Sequence, residues 1–140
     1  MINRLQNHLD APDDLAKQII GLAMKVHSAL GCGFLESVYV NALIVELREA
    51  GIAFEQEKRY VIAYKGVEIG QFHADLVIGN RLILEFKAVE TLVVAHSVQL
   101  VNYLAASKIE TGLLLNFGPK RLEFKTKTLN YSKANPSSPD

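Results

Sequence analysis

The sequence predicts a single α/β domain with a mixed sheet flanked by helices, on three observations. Two apolar stripes at helical spacing open the chain. Three strand-like segments follow, separated only by short turns. A further helix then leads to Gly112-Leu-Leu-Leu-Asn-Phe117, which is apolar without alternation, as in a strand buried on both faces. A strand, a helix and a buried strand in succession make a crossover, so part of the sheet must be parallel.

Composition fits this reading. The chain has 140 residues, enough for one real core and too few for two ordinary domains. Apolar residues make up 49%, which excludes a disordered chain. The formal net charge is +0, so any contact with nucleic acid must come from a local patch. The single cysteine, Cys32, excludes an internal disulfide framework and fits a reducing compartment. Asp10, Asp13 and Asp14 stand where a signal peptide needs its apolar core, and no apolar run has membrane-spanning length. We read the protein as cytoplasmic.

Residues 1–11 read as a loose leader. Pro12, Asp13 and Asp14 suit a first helical turn, since proline is tolerated there and acids favour the positive end of the helix dipole. Leu15, Ile19, Leu22, Val26 and Leu30 then form a core-facing stripe that ends at Gly31 and Gly33. A second helix runs from about Phe34 to Ala50, with Glu36, Tyr39 and Leu43 on one face. Strands are predicted over 53–64, 67–78 and 82–87, forming an antiparallel meander. A helix from about Ala95 to Ser107 carries Gln99 and Tyr103 one turn apart. Gly118-Pro119 breaks the chain, and 120–129 reads as a last, polar strand. The domain is thus expected over 1–129, with a disordered tail over 130–140 rich in proline and serine.

The second and third strands of the meander carry Asp75, Glu85 and Lys87 within otherwise apolar segments. A buried charge is costly unless it is paired or bound to a metal. A structural ion pair is one explanation. A site holding a divalent metal against a phosphate is the other. Glu85 and Lys87 are two apart on a strand and share a face. Asp75 joins them only if the turn has an odd length. A two-residue loop at Gly79-Asn80 would pair Asp75 with Leu84 and send Glu85 to the opposite face. A loop of Gly79-Asn80-Arg81, or a bulge, pairs Asp75 with Glu85. We expect the latter.

Glu-x-Lys alone is weak, and the chain shows why: Leu-Glu-Phe-Lys occurs at 84–87 and again at 122–125. The second copy has no aspartate on a preceding strand. It sits with Lys120, Arg121, Lys125, Lys127 and Lys133, offset by Glu123, and reads as a basic edge strand able to touch a phosphate backbone.

Taken together these motifs resemble a known family. Gly33-Phe-Leu-Glu36-Ser-Val-Tyr39 is similar to the motif that names the GxxExxY proteins, grouped with the PD-(D/E)XK nuclease-like superfamily. His27 precedes Leu30-Gly31, Asp75 begins the acidic pair, Glu85-Phe-Lys87 supplies E-x-K, and Gln99-Leu-Val-Asn-Tyr103 looks like the Q-x-x-x-Y of RecB-like nucleases. The resemblance covers roughly residues 15–125. It implies a restriction-endonuclease-like αβββαβ core and a metal-dependent nuclease acting on DNA or RNA. It further implies Asp75 and Glu85 as ligands of Mg²⁺ or Mn²⁺, with the Phe86 carbonyl as a further ligand, Glu36 completing the site or binding a second metal, and His27 as an extra ligand or a support behind the ligands. Lys87 would act on the attacking water, and Gln99 and Tyr103 would steady the site or the substrate backbone. His73 stands two before the aspartate, where a basic residue is common in the family, so a phosphate contact there becomes pH-dependent. Cys32 replaces an expected proline in the turn before Gly33. A homodimer, or a binding module that keeps the fold and cleaves nothing, are the further expectations.

Overall fold

The structure is a computed structural model that describes residues 2–129, with side chains from residue 14 onward. Its elements are α1 (Ile2–Leu30), α2 (Glu36–Glu49), β1 (Phe54–Tyr64), β2 (Val67–Ile78), β3 (Leu82–Lys87), α3 (Val94–Ser107), β4 (Thr111–Asn116) and β5 (Glu123–Thr128). Helix, three strands, helix and strand follow in the order expected, and α1 before them and β5 after them are the opening helix and last strand also expected. The five strands form one sheet in the order β1-β2-β3-β4-β5. Only β3 and β4 run parallel, joined across α3. The remaining neighbours are antiparallel.

Side-chain period explains why this sheet has helices on both faces. In β3 and β4, Leu84, Phe86, Leu113 and Leu115 pack under α1 and α2 with Ile19, Val26, Leu43 and Leu47. The alternate residues Ile83 and Leu114 pack under α3 with Leu100 and Leu104. Both central strands are therefore apolar on both faces over Leu82–Leu84 and Leu113–Leu115, as the unalternated Leu113-Leu114-Leu115 run predicts. Each such side chain contributes roughly 1.5–3 kcal/mol relative to exposure. α3 lies so close to β4 that a Cβ on Gly112 would come within 2.7 Å of a Leu100 methyl. β5 is an edge strand, as its polar sequence predicts.

Two expectations need correction. The backbone is helical from Ile2, so residues 1–11 are not a loose leader there. Arg4, Leu5, Gln6 and Leu9 are good helix formers, and the helix continues through Pro12 at the loss of one backbone bond. α2 begins at Glu36, two residues later than expected, because Gly33 takes φ +110° and Leu35 stays extended at the helix entrance. The predicted tail over 130–140 lies outside the described residues.

Candidate active site

The turn between β2 and β3 is the three-residue loop Gly79-Asn80-Arg81. Gly79 and Asn80 both take the left-handed conformation, φ +58° and +57°, which glycine and asparagine tolerate best. The Arg81 N–H closes the turn on the Ile78 carbonyl at 3.0 Å. Ile78, Val77 and Leu76 then pair with Leu82, Ile83 and Leu84. One further step of this register sets Asp75 across from Glu85, and there the ladder stops. The Phe86 N–H donates to Asp75 Oδ2 at 2.8 Å, and the Asp75 N–H donates to Glu85 Oε2 at 3.2 Å. Each carboxylate accepts the backbone donor of the opposite strand, so the pair sits where the strands part. Asp75 is two before Val77, and Glu85 is two after Ile83. Both reference residues pack under α3, which puts Glu85 on that face, while Asp75 stands where β2 changes face between Ala74 and Leu76.

The first two strands turn over at the same point. Phe72 and Val77 are five apart yet pack in the same core. Phe54 and Tyr60 are six apart yet pack in opposite cores. Regular alternation forbids both. The break falls at Glu57, which has φ +55° and is skipped in the pairing between Gln56–Leu76 and Lys58–Ala74. Asp75 is the β2 residue skipped with it. Groups from both sides of the sheet can therefore act on Asp75. Glu36, the exposed first residue of α2, comes from the α1–α2 side. Tyr103 of α3 comes from the other, stacked on Phe72 at 3.8 Å between ring centres.

The electrostatics register this convergence. Glu85 is only 8% exposed. Burial, then the charge of Asp75, push its carboxyl up to about 8, against the opposing pull of the Asp75 N–H and Lys87. Burial also raises Asp75, with Glu36 and Glu57 adding repulsion, while the Phe86 N–H and Lys87 oppose the rise. The Tyr103 hydroxyl is raised by burial and by both carboxylates. Ion pairs among the described residues join Lys25 to Glu46, Lys58 to Glu55 and Arg59 to Glu68. None reaches Asp75 or Glu85, and Lys87 acts on them from beyond ion-pair distance. A structural ion pair is therefore not what holds this pair.

The donor set fits a hard cation in part. Two carboxylates suit Mg²⁺, which keeps several waters and commonly takes one or two carboxylates from the protein. Among the described residues no three His, Cys, Asp or Glu side chains come close enough to surround one ion. Glu36 thus acts on the pair through space rather than in the same cluster. His27 has other partners: it is buried, its Nε2 donates to the Pro119 carbonyl at 2.9 Å, and its ring lies against Phe117. Gln99 is exposed and lines, with Tyr103, an apolar groove of about 1140 Å³ between α3 and β1. His73 is exposed and lies across from Arg59 in the ladder. Phe86 is buried by its ring and reaches the site through its backbone.

Two residues have roles that sequence reasoning left out. Glu57 was invisible because Glu55-Gln56-Glu57-Lys58 has no apolar alternation from which a change of face could be read. Asn116 is fully buried at the end of β4. Its Oδ1 accepts from the Val89 and Gly118 N–H groups, and its Nδ2 donates to Glu123. Glu123, the acid of the second Leu-Glu-Phe-Lys, accepts from the Leu92 N–H as well. It thus fixes the loop that follows Lys87. Tyr39 holds the glycine break: its hydroxyl donates to the Gly31 carbonyl at 2.7 Å and accepts from the Phe34 N–H.

Comparison with known proteins agrees with this geometry. Residues 13–128 match the family profile of the PD-(D/E)XK nuclease superfamily. Among solved structures, the crystal structure of SSO0001 superposes with a TM-score of 0.52 at 20% identity, over 69% of this chain and 52% of that one. The likeness covers about half the length of that chain and concerns the fold. No curated protein matches. A family match over residues 13–128, laid on a five-stranded mixed sheet that parts at an acidic pair, shows that the chain belongs to the PD-(D/E)XK nuclease superfamily.

Proposed function

We propose that the protein is a metal-dependent phosphodiesterase that hydrolyses DNA or RNA, its domain spanning residues 1–129. The observation that carries this reading is the Asp75–Glu85 pair, half-buried and buried in turn, with no cationic side chain among the described residues within ion-pair distance, at the point where β2 and β3 part. Asp75 and Glu85, with the Phe86 carbonyl, would hold Mg²⁺ or Mn²⁺, and Glu36 would complete the acidic surroundings. When bound, such an ion neutralises phosphate charge and makes hydroxide available near neutral pH. Lys87, two residues beyond Glu85 on the same face, orients the attacking water and offsets charge gathering on the phosphate. Gln99 and Tyr103 position the substrate strand along the groove they line, and exposed His73 contacts its backbone. His27 serves the site by fixing the Pro119 carbonyl. The lone exposed Cys32 suits the reducing cytoplasm. The protein would act as a homodimer, which light scattering checks.

A second reading is favoured by the formal net charge of +0: a binding module on the same fold that cleaves nothing. One experiment separates the two. Purified protein is incubated with single- and double-stranded DNA and RNA in Mg²⁺ and in Mn²⁺, beside Glu85→Ala and Lys87→Ala. The nuclease reading expects cleavage that falls roughly a hundredfold or more in each variant. Cleavage that survives both substitutions, or nucleic acid bound and left whole under every condition, overturns it.

A further inference from the structure

The end of α1 and the loop between β4 and β5 border an open cavity of about 400 Å³, lined by Met24, His27, Ser28, Lys120, Arg121 and Leu122. Its volume lies within the range of small-ligand sites. Its charged lining residues are both cations, with the Ser28 hydroxyl between apolar walls, and it contains no acid. We propose that this cavity is a second phosphate subsite, which takes a backbone phosphate of the nucleic acid at a distance from the scissile one. The substrate class rests on the nuclease reading above; the residues are separate from the carboxylate pair.

Three observations carry the assignment. First, the positive charge is uncompensated. No ion pair among the described residues includes Lys120 or Arg121. The acid nearest in sequence, Glu123, is committed elsewhere, accepting from Asn116 Nδ2 at 3.0 Å and from the Leu92 N–H at 3.3 Å. Second, the chemistry matches. A guanidinium presents paired donors to phosphate oxygens, and an ammonium and a hydroxyl add a point charge and a further donor. Third, the cavity is fixed to the candidate active site. His27 ties α1 to the loop through the Pro119 carbonyl, and the Phe117 N–H donates to the Lys87 carbonyl at 2.8 Å. Phe117 also stacks on Tyr39, at 4.5 Å between ring centres. Lys87 and the cavity thus belong to one frame at the same end of the sheet. A phosphate held there sets where the strand crosses Asp75 and Glu85.

The test uses the whole protein and two readouts. In the first, inorganic phosphate is titrated into wild type and amide shifts are followed by NMR. Saturable shifts are expected at Ser28, Lys120 and Arg121, and none at those positions overturns the proposal without any variant being needed. In the second, binding of a labelled single-stranded oligonucleotide is measured in EDTA across a salt series. Lys120→Gln/Arg121→Gln should reduce the slope of log affinity against log salt by about 0.7, the share of one phosphate contact on a single strand. Arg48→Gln/Arg81→Gln, the same charge change at the opposite end of the sheet, should leave it in place. An unchanged slope in the first variant, or an equal fall in the second, overturns the subsite and leaves the cleavage chemistry standing. Cleavage indifferent to Glu85→Ala, with the slope change intact, overturns the catalytic reading alone.

Discussion

In the metal-free protein at neutral pH, a Glu85 carboxyl pushed up to about 8 keeps its proton. That proton links folding to pH. The folded group titrates above the ordinary value of 4.5, so between about pH 4.5 and pH 8 the folded state binds more protons than the unfolded chain. Stability therefore falls as pH rises through that window and levels off above it. One group contributes about 1.4 kcal/mol per pH unit, roughly 3–5 kcal/mol in all, and the raised Asp75 acts in the same direction at the acid end. Urea unfolding from pH 5 to 9 in EDTA should show this fall. Glu85→Gln, which keeps an acceptor for the Asp75 N–H but cannot ionise, should flatten the curve and be the more stable protein at pH 8.5. A wild-type curve that rises over the same range would show that the carboxylate is stabilised in its charged form. At this scale the acidic pair was legible because loop length decides the face of every residue beyond it. Glu57 was not, since one left-handed residue that keeps the register leaves no trace in a polar strand.

Among the elements, tight joints were harder to read than periods. The helical stripes and the buried β4 run follow from spacing, and β1, β2 and β3 begin and end within a residue of expectation. The start of α1 was missed because a proline and a cluster of acids imitate a first turn. The joints depend on contacts between distant residues. Gly118 shows this: a Cβ there would lie 2.0 Å from the Val89 carbonyl oxygen, so backbone must move to admit it. Gly118→Ala should cost about 3 kcal/mol or more in urea unfolding, since rigid backbone is displaced. Gly21 lies exposed within α1 with nothing within 4 Å of an added Cβ, so Gly21→Ala should stabilise by about 0.5–1 kcal/mol. Equal effects of the two would mean that residues 88–93 yield freely. Tyr39→Phe keeps the stack on Phe117 but strips the Gly31 carbonyl and the Phe34 N–H of their partner. It should cost about 1–3 kcal/mol. By loosening the entrance of α2 it should also move Glu36, lowering cleavage more than Ser37→Ala does.

Across the whole molecule, the site exists because two cores meet at one gap in the sheet. α2 and its Glu36 ride on the first core, α3 and its Tyr103 on the second, and neither core alone brings them near Asp75 and Glu85. The arrangement concentrates negative charge where water is scarce, so the empty pair opposes folding and a divalent cation should reverse the sign. Binding only to the folded state stabilises by about 2.7 kcal/mol at a ligand concentration one hundred times Kd. Below about pH 8 the cation must first displace the Glu85 proton, so the gain should be pH-dependent. Thermal unfolding with and without 10-fold steps of Mg²⁺ should show a larger rise in Tm at pH 8.5 than at pH 6. The fall in stability seen in EDTA should flatten at saturating metal. Glu85→Gln and Asp75→Asn should each remove most of the rise, while Lys87→Gln, which takes away a competing cation, should keep it even as cleavage is lost. A Tm that ignores Mg²⁺ and Mn²⁺ at pH 8.5 would mean that the pair keeps a shared proton in place of a metal, and the chemistry of cleavage would then have no source in this sheet.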